Sequence, residues 1–372
     1  MKTKLSIWIS LSAVILMVSS FSIGRMLYAQ NDSPPRVEIP GTQLLHLNSN
    51  IVGQEYDLYV HLPRFYEDTT KTFPVIYLLD AQWDFPLVTA IFGEQYYDGF
   101  LPGIVIVGIT WGGNKPNHDG LRARDLTPTK IQQMPNTGNA PKFLAFIKEE
   151  LIPFIESKYR VKKDRTLMGS SFGGLFSLYA MFEETDTFQR YVLTSPAVGW
   201  DNEVIYDYEE SLFKKKTGLP VRLFMAVGEL EQVGSFKKFA DQLKKRSYEG
   251  LRMETRVLEN IGHSGTKAEG YTRGLQFVFA RPSLTVAPEV LDQYIGTYEL
   301  NPAFTAKIQK ESDHLVLKTP DNATVVLHAE SETDFYLKGT YLFVRFKKDD
   351  ASQLVGMEVE QFNGTNFLKR VK

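Results

Sequence analysis

From about residue 40 to 280 the chain alternates short apolar runs with amphipathic segments, the rhythm of an α/β fold with a largely parallel sheet. Residues 54–62 (QEYDLYVHL) alternate apolar and polar positions, as an early, half-exposed strand does. Residues 73–79 (FPVIYLL), 103–109 (GIVIVGI), 165–168, 191–194 and 221–227 (VRLFMAV) are nearly continuous apolar runs, which suit strands covered on both faces. Between them Phe143, Phe146, Ile147, Leu151, Ile152 and Ile155 recur at helical spacing, with Pro141 near the start, where its missing N–H costs nothing. Phe236, Phe239, Ala240 and Leu243 mark a second helix, and a third is expected over 266–279.

Pro282 and Pro288 break this rhythm, and the helices are expected to stop there. Beyond them come short strand-like pieces separated by polar turns, at 304–308, 314–318, 324–328, 334–337, 341–346, 356–361 and 367–371, a spacing that predicts a small antiparallel β domain. The N-terminus has a different character. Lys2 and Lys4 precede an apolar, uncharged stretch over 5–23, and Ala29 supplies a small residue before polar sequence, the pattern of a secretory signal. An uncleaved anchor is the alternative, since the stretch is near the ~18 residues that can span a bilayer. No later segment is long and apolar enough to do so. The reading is a signal peptide over 1–29, an α/β catalytic domain over 30–280, a linker over 281–290 and a β domain over 291–372, exported to the periplasm or the outside.

Composition narrows the function. With 42 Lys plus Arg against 44 Asp plus Glu, the net charge of −2 leaves no basic surplus for a phosphate backbone, so nucleic acid is not an expected partner. Cysteine is absent, which excludes disulfides, thiolate metal sites and a catalytic Cys. The His, Asp and Glu positions show no H-E-x-x-H or comparable ligand spacing, so neither a catalytic metal nor a cofactor is expected.

One motif carries chemistry. Gly169-Ser170-Ser171-Phe172-Gly173 is G-x-S-x-G, which follows an apolar strand and opens an apolar helix over 175–182. The letters alone arise by chance in roughly one chain in ten of this length. The strand, turn and helix around them give the motif its weight, because flanking glycines allow a strained turn that projects the serine above the sheet. Ser170 competes by adjacency, but the glycine spacing selects Ser171.

A serine hydroxyl needs a base, and the base needs an orienting acid, in the chain order Ser, acid, His. His46, His61 and His118 precede Ser171, and His314 and His328 lie in the β domain, which leaves His263, between Gly262 and Gly265 in a loop after a strand over 252–258. His118 sits in a polar stretch over 114–120. The acid should follow the run 221–227, where Glu229 and Glu231 both stand; Glu231, three positions after Gly228, is preferred. If both are solvated loop charges, Ser171 and His263 would act as a dyad. Two main-chain donors complete such a site: Phe172 N–H, and one in the loop 79–83, Gln82 being preferred to Ala81. Trp83 and Phe85 fit either an apolar wall beside the site or the core.

PVIYLLDA (74–81), RARDLTPT (122–129), FIESKYRV (154–161), GSSFGG (169–174), VGELE (227–231) and GHSG (262–265) together resemble the putative esterase family of α/β-hydrolases, which includes esterase D, enterochelin-type siderophore esterases, feruloyl esterases and mycolyltransferases. The pieces occur in order over about residues 40–280. That resemblance implies an α/β-hydrolase fold and action on a small-molecule ester. Two departures are Asp80-Ala81, where the family often has Asp-Gly, and the acid, which varies in the family. Arg124 and Asp125 match a recurrent pair read as bracing their loop. Residues 291–299 (LDQYIGTYE) resemble the start of small β domains appended to secreted serine hydrolases.

The sequence therefore predicts a serine-dependent carboxylic ester hydrolase, with acyl transfer to another alcohol, or binding without turnover, as the alternatives. Siderophore lactones, carbohydrate acyl esters and short aryl esters all remain open as substrates. Specificity is expected in loops over 112–120 and 201–218.

Overall fold

The computed structural model describes residues 37–320 and 323–371; the segment read as a signal lies outside the described residues. Residues from 41 onward form one compact unit, which holds the sheet and the barrel described below.

The strands β1 (Thr42–Ser49), β2 (Gln54–His61), β3 (Phe73–Leu78), β4 (Val105–Trp111), β5 (Val161–Ser170), β6 (Arg190–Thr194), β7 (Arg222–Gly228) and β8 (Arg252–Leu258) form one sheet in the order β1-β2-β4-β3-β5-β6-β7-β8. β1 and β2 run antiparallel at one edge, and every pair from β4 onward is parallel. All side chains of β3 and β4 are buried, which is why both read as unbroken apolar runs. Edge strand β1, missed in the sequence, leaves most of its positions exposed or half-exposed and carries no such signal.

Helices cover the sheet: α1 (Ala81–Tyr97), α2 (His118–Asp125), α3 (Ala140–Phe146), α4 (Ile152–Lys158), α5 (Phe172–Glu183), α6 (Ile205–Lys215), α7 (Val233–Arg246) and α8 (Thr266–Val278). A π-helical turn, Ile147–Leu151, joins α3 to α4, the Ile152 N–H reaching back five residues to Ile147 O just before Pro153, which has no N–H to donate.

Three expectations need correction. The segment 201–218 is not a loop but carries α6, which buries Ile205, Glu209 and Leu212 on one face. The fully buried Glu209 interrupts its apolar stripe, and is held there by Tyr248 Oη at 2.7 Å, Gln242 Nε2 at 2.7 Å and Arg246 Nε at 3.1 Å. The polar stretch around His118 is likewise partly helical: α2 starts at His118, and the Asn117 side chain caps it by accepting from Gly120 N–H. Finally, helices do not stop at 280. A short α9 (Pro288–Tyr294) follows, with proline in its first turn and Leu291 and Tyr294 buried.

The C-terminal strands β9 (Gly296–Asn301), β10 (Phe304–Glu311), β11 (His314–Lys318), β12 (Thr324–Ala329), β13 (Asp334–Tyr336), β14 (Leu342–Lys348), β15 (Leu354–Gln361) and β16 (Gly364–Arg370) form an antiparallel barrel, closed where β16 pairs with β9. Tyr294 of α9 stacks on Phe346 in its core, with centroids 4.0 Å apart. The barrel docks on the hydrolase domain through Phe362, whose ring lies 4.1 Å from the Arg64 guanidinium and 4.9 Å from the Tyr97 ring.

Candidate active site

The parallel strands all end on one side of the sheet, and the predicted site residues stand at those ends. Ser171 directly follows β5 and precedes α5, with φ 58° and ψ −116°, a conformation costly for a residue with a side chain and typical of strained functional turns. The glycines around it permit close approach. A Cβ on Gly169 would lie 2.7 Å from the Gly173 carbonyl carbon, and one on Gly174 would lie 2.8 Å from Pro196 Cα. Ser170 is buried in the strand end, whereas Ser171 is half-exposed at the turn. Among the described residues the Ser171 hydroxyl has no hydrogen-bond partner, and its backbone is fixed by Thr194 O, Leu175 N and Ala197 N.

His263 lies in the loop between β8 and α8, and Glu231 in the turn after β7. The structure brings them together: His263 Nδ1 and Glu231 Oε2 are 2.5 Å apart. The other carboxylate oxygen, Oε1, accepts from Ser195 Oγ at 2.6 Å and from Gly228 N–H at 2.8 Å. Partial burial pushes the Glu231 carboxyl up, but hydrogen bonds from Ser195, His263 and Gly228 outweigh it and hold the group below the usual range, as an anion. Glu229 is exposed, has no hydrogen bond to His263 among the described residues and accepts from Asn260 N–H at 3.0 Å, bracing the loop that carries the imidazole. The carbonyl of His263 accepts from Thr266 Oγ1 at 2.7 Å, and that hydroxyl also meets Ser195 Oγ at 2.9 Å.

The two candidate main-chain donors lie on neighbouring helix starts. β3 and β5 are paired, so α1 and α5 leave from adjacent strand ends. Gln82 and Phe172 occupy their first turns, where N–H groups have no intrahelical acceptor. Gly173 packs against Leu79 and Asp80, so the two helix starts adjoin. Asp80 is left-handed, with φ 54°. The methyl of Ala81 fits because it faces Gly108, whose Cβ would come within 2.7 Å of it. Arg122 clamps the loop with two bonds to Asp80, at 3.0 and 2.8 Å, its guanidinium near both the Trp83 and Phe172 rings. Trp83 is half-exposed there and Phe85 is buried in the core.

Sequence reasoning missed Ser195, Thr266 and Arg122. Nothing in the sequence marks Ser195 or Thr266, because each acts only through neighbours from other loops. Arg122 stands in the RARD motif, beside the recurrent pair Arg124 and Asp125. Those two brace the fold: buried Asp125 accepts from Arg124, Tyr56 Oη, Trp111 Nε1 and Asn139 Nδ2. Beside His263 opens a cleft of about 280 Å³ lined by Ser195, Ala197, Gly199, Gln232, Ser235 and Phe236.

A mostly parallel sheet with a strained serine elbow and an acid-paired histidine at its strand ends defines an α/β-hydrolase. The model of the Putative esterase family matches residues 49–263, more than half of the chain, and the chain belongs to that family. A domain of unknown function, DUF3471, matches 280–369, the barrel. The chain is 32% identical over 263 residues to the ferri-bacillibactin esterase BesA of Bacillus subtilis (strain 168), covering 64% of this chain and 90% of the relative. It is 28% identical over 244 residues to the siderophore triacetylfusarinine C esterase of Aspergillus fumigatus, covering 61% and 82%. Its fold matches the crystal structure of the BES protein from Bacillus cereus with a TM-score of 0.61 at 25% identity, covering 67% and 98%. The protein is thus an ester hydrolase. Among the described residues no helix is long and apolar enough to cross a membrane.

Proposed function

We propose that this ester hydrolase is a serine esterase that works through an acyl-enzyme on siderophore-type esters. Ser171 attacks the ester carbonyl while His263 Nε2 takes its proton. Glu231 fixes Nδ1 as the protonated nitrogen and stabilises the imidazolium that forms. The N–H groups of Phe172 and Gln82 stabilise the oxyanion. His263 then returns the proton to the leaving alcohol, and water, activated by the same base, releases the acid.

The contact between Glu231 and His263 carries this reading, because a carboxylate fixed on both oxygens holds the imidazole in one orientation at the end of the sheet that bears the elbow. The siderophore esterases among the relatives support the substrate class. Export rests on the charged, apolar and small-residue pattern of 1–29.

The test is a panel of siderophore lactones, carbohydrate acyl esters and short aryl esters given to the purified protein, with added alcohols to detect acyl transfer. The expected result is the highest kcat/KM on siderophore esters, with free acid as product. Preference for a sugar ester, or an alkyl ester product, would overturn the substrate class or the hydrolytic outcome.

A further inference from the structure

We propose that His46, Glu55 and Asp57 form a site for one first-row divalent cation, Zn²⁺ or Mn²⁺, on the β1–β2 edge of the sheet. His46 on β1 is registered opposite Asp57 on β2, and Glu55, two residues along β2, points to the same face. Their ligand atoms all lie within 4.8 Å of one another, and His46 Nδ1 is already 2.7 Å from Asp57 Oδ1. Donors held at about 2.1 Å from one centre are about 3 to 3.5 Å apart, so small side-chain rotations complete the set.

Two further observations point to a ligand. Gly112 pairs with Glu55 through its N–H, and a Cβ built on it would lie 2.5 Å from Asp57 Oδ1 and 2.9 Å from Glu55 Oε1. Two carboxylates therefore converge over the space that any other residue would fill with a side chain. Among the described residues neither is paired with a lysine or arginine, and His46 is the one ion-pair partner, to Asp57. Thr110 continues the row on the same face: it is registered opposite Asp57, it is 1% exposed, and its Oγ1 has no partner among the described residues. A buried hydroxyl left unbonded beside an acidic pair is a natural partner for a metal-bound water.

The mixed donor set chooses the ion. One imidazole nitrogen with carboxylates suits Zn²⁺ or Mn²⁺, whereas Ca²⁺ and Mg²⁺ take oxygen ligands. Because the donors come from two paired strands, the site has none of the linear spacing by which helical metal motifs are read. A bound ion would clip the exposed edge strand β1 to β2.

The experiment is calorimetric titration of chelator-treated full-length protein with Zn²⁺, with Ca²⁺ as comparator, backed by the visible absorption of bound Co²⁺. The expected result is one equivalent of Zn²⁺ per chain, a Co²⁺ band typical of mixed nitrogen and oxygen ligation, and binding weakened at least about tenfold in Glu55→Gln, Asp57→Asn and Gly112→Ala. Circular dichroism checks that the variants fold, and the two conservative carboxylate changes decide the matter if the glycine variant does not. Absence of stoichiometric Zn²⁺ binding, binding unchanged in both carboxylate variants, loss in His263→Ala instead, or tighter Ca²⁺ than Zn²⁺ binding would each overturn the proposal.

Discussion

Ser195 donates from 2.6 Å to the Oε1 of Glu231 and so occupies the carboxylate oxygen that His263 does not. Its own backbone is left-handed, with φ 45°, at the end of β6. With Gly228 N–H also on Oε1, the carboxylate is clamped by three partners, and its orientation depends in part on a residue that never meets the imidazole. A hydrogen bond to a charged group contributes about 1.5–3 kcal/mol, so Ser195→Ala should lower kcat by roughly ten- to a hundredfold with little change in KM. Steady-state kinetics on one ester decides this. A defect confined to KM would mean that Ser195 contacts substrate instead.

The two glutamates of the turn should separate cleanly. Glu231→Gln should lower kcat by about 10³ to 10⁴, as loss of the orienting acid does in such sites, while Glu229→Gln should stay within a few-fold of the parent. The folded-state carboxyl of Glu231 is held below its usual range, so the stabilisation from its ionised form is present above the unfolded value, about pH 4, and is lost as pH falls through the lower folded value. Glu231 should therefore set no limb of the kcat/KM profile within or above the usual carboxylate range. A pH–rate profile with a limb set by a carboxyl near pH 4 would contradict this.

Asp84, in the first turn of α1, is buried against Lys267 Nζ at 2.6 Å and Tyr271 Oη at 2.8 Å, both from α8. Burial outweighs these partners and raises its carboxyl above the usual value. With the folded value raised, the native state binds more protons than the unfolded one, so this group's effect on stability becomes less favourable as pH rises from the unfolded value through the folded one. Lys267→Met should cost about 3–5 kcal/mol near neutrality and less at acid pH, because an unpaired buried carboxylate can then protonate. Thermal melts at pH 5 and pH 8 measure the difference. An equal loss at both would show that the pair is energetically exposed.

Asp125 serves four donors with one carboxylate and is completely buried. Asp125→Ala should lower stability by about 3–5 kcal/mol and Tm by roughly 10 °C. A melt within about 2 °C of the parent would show that the brace is dispensable.

Much of this was legible in the sequence because the relevant constraints are local. The β3 and β4 runs are buried on both faces and so are apolar without interruption. The elbow needs glycine at 169 and 174 because backbone approaches to within 3 Å there. Chain order alone singles out His263 as the candidate base, and it is the imidazole that meets Glu231. What stayed hidden depends on partners distant in sequence. Helix α6 buries Glu209, whose partners Gln242, Arg246 and Tyr248 lie more than thirty residues away, so its stripe looked polar. α1 contains Pro86 and Gly93, both poor helix-interior residues, which mask its helical character in the sequence. Closure of the barrel depends on β16 meeting β9, the first strand of its domain, which no local pattern encodes.

The central claim is that Ser171 carries the acyl group and His263 activates it. Treating the protein with a fluorophosphonate and mapping the adduct by peptide mass spectrometry tests this directly, with ester turnover followed in parallel. One adduct per chain on Ser171, with labelling and turnover both abolished in Ser171→Ala and strongly slowed in His263→Ala, is the predicted result. An adduct on another residue, or ester turnover that survives Ser171→Ala, would contradict it.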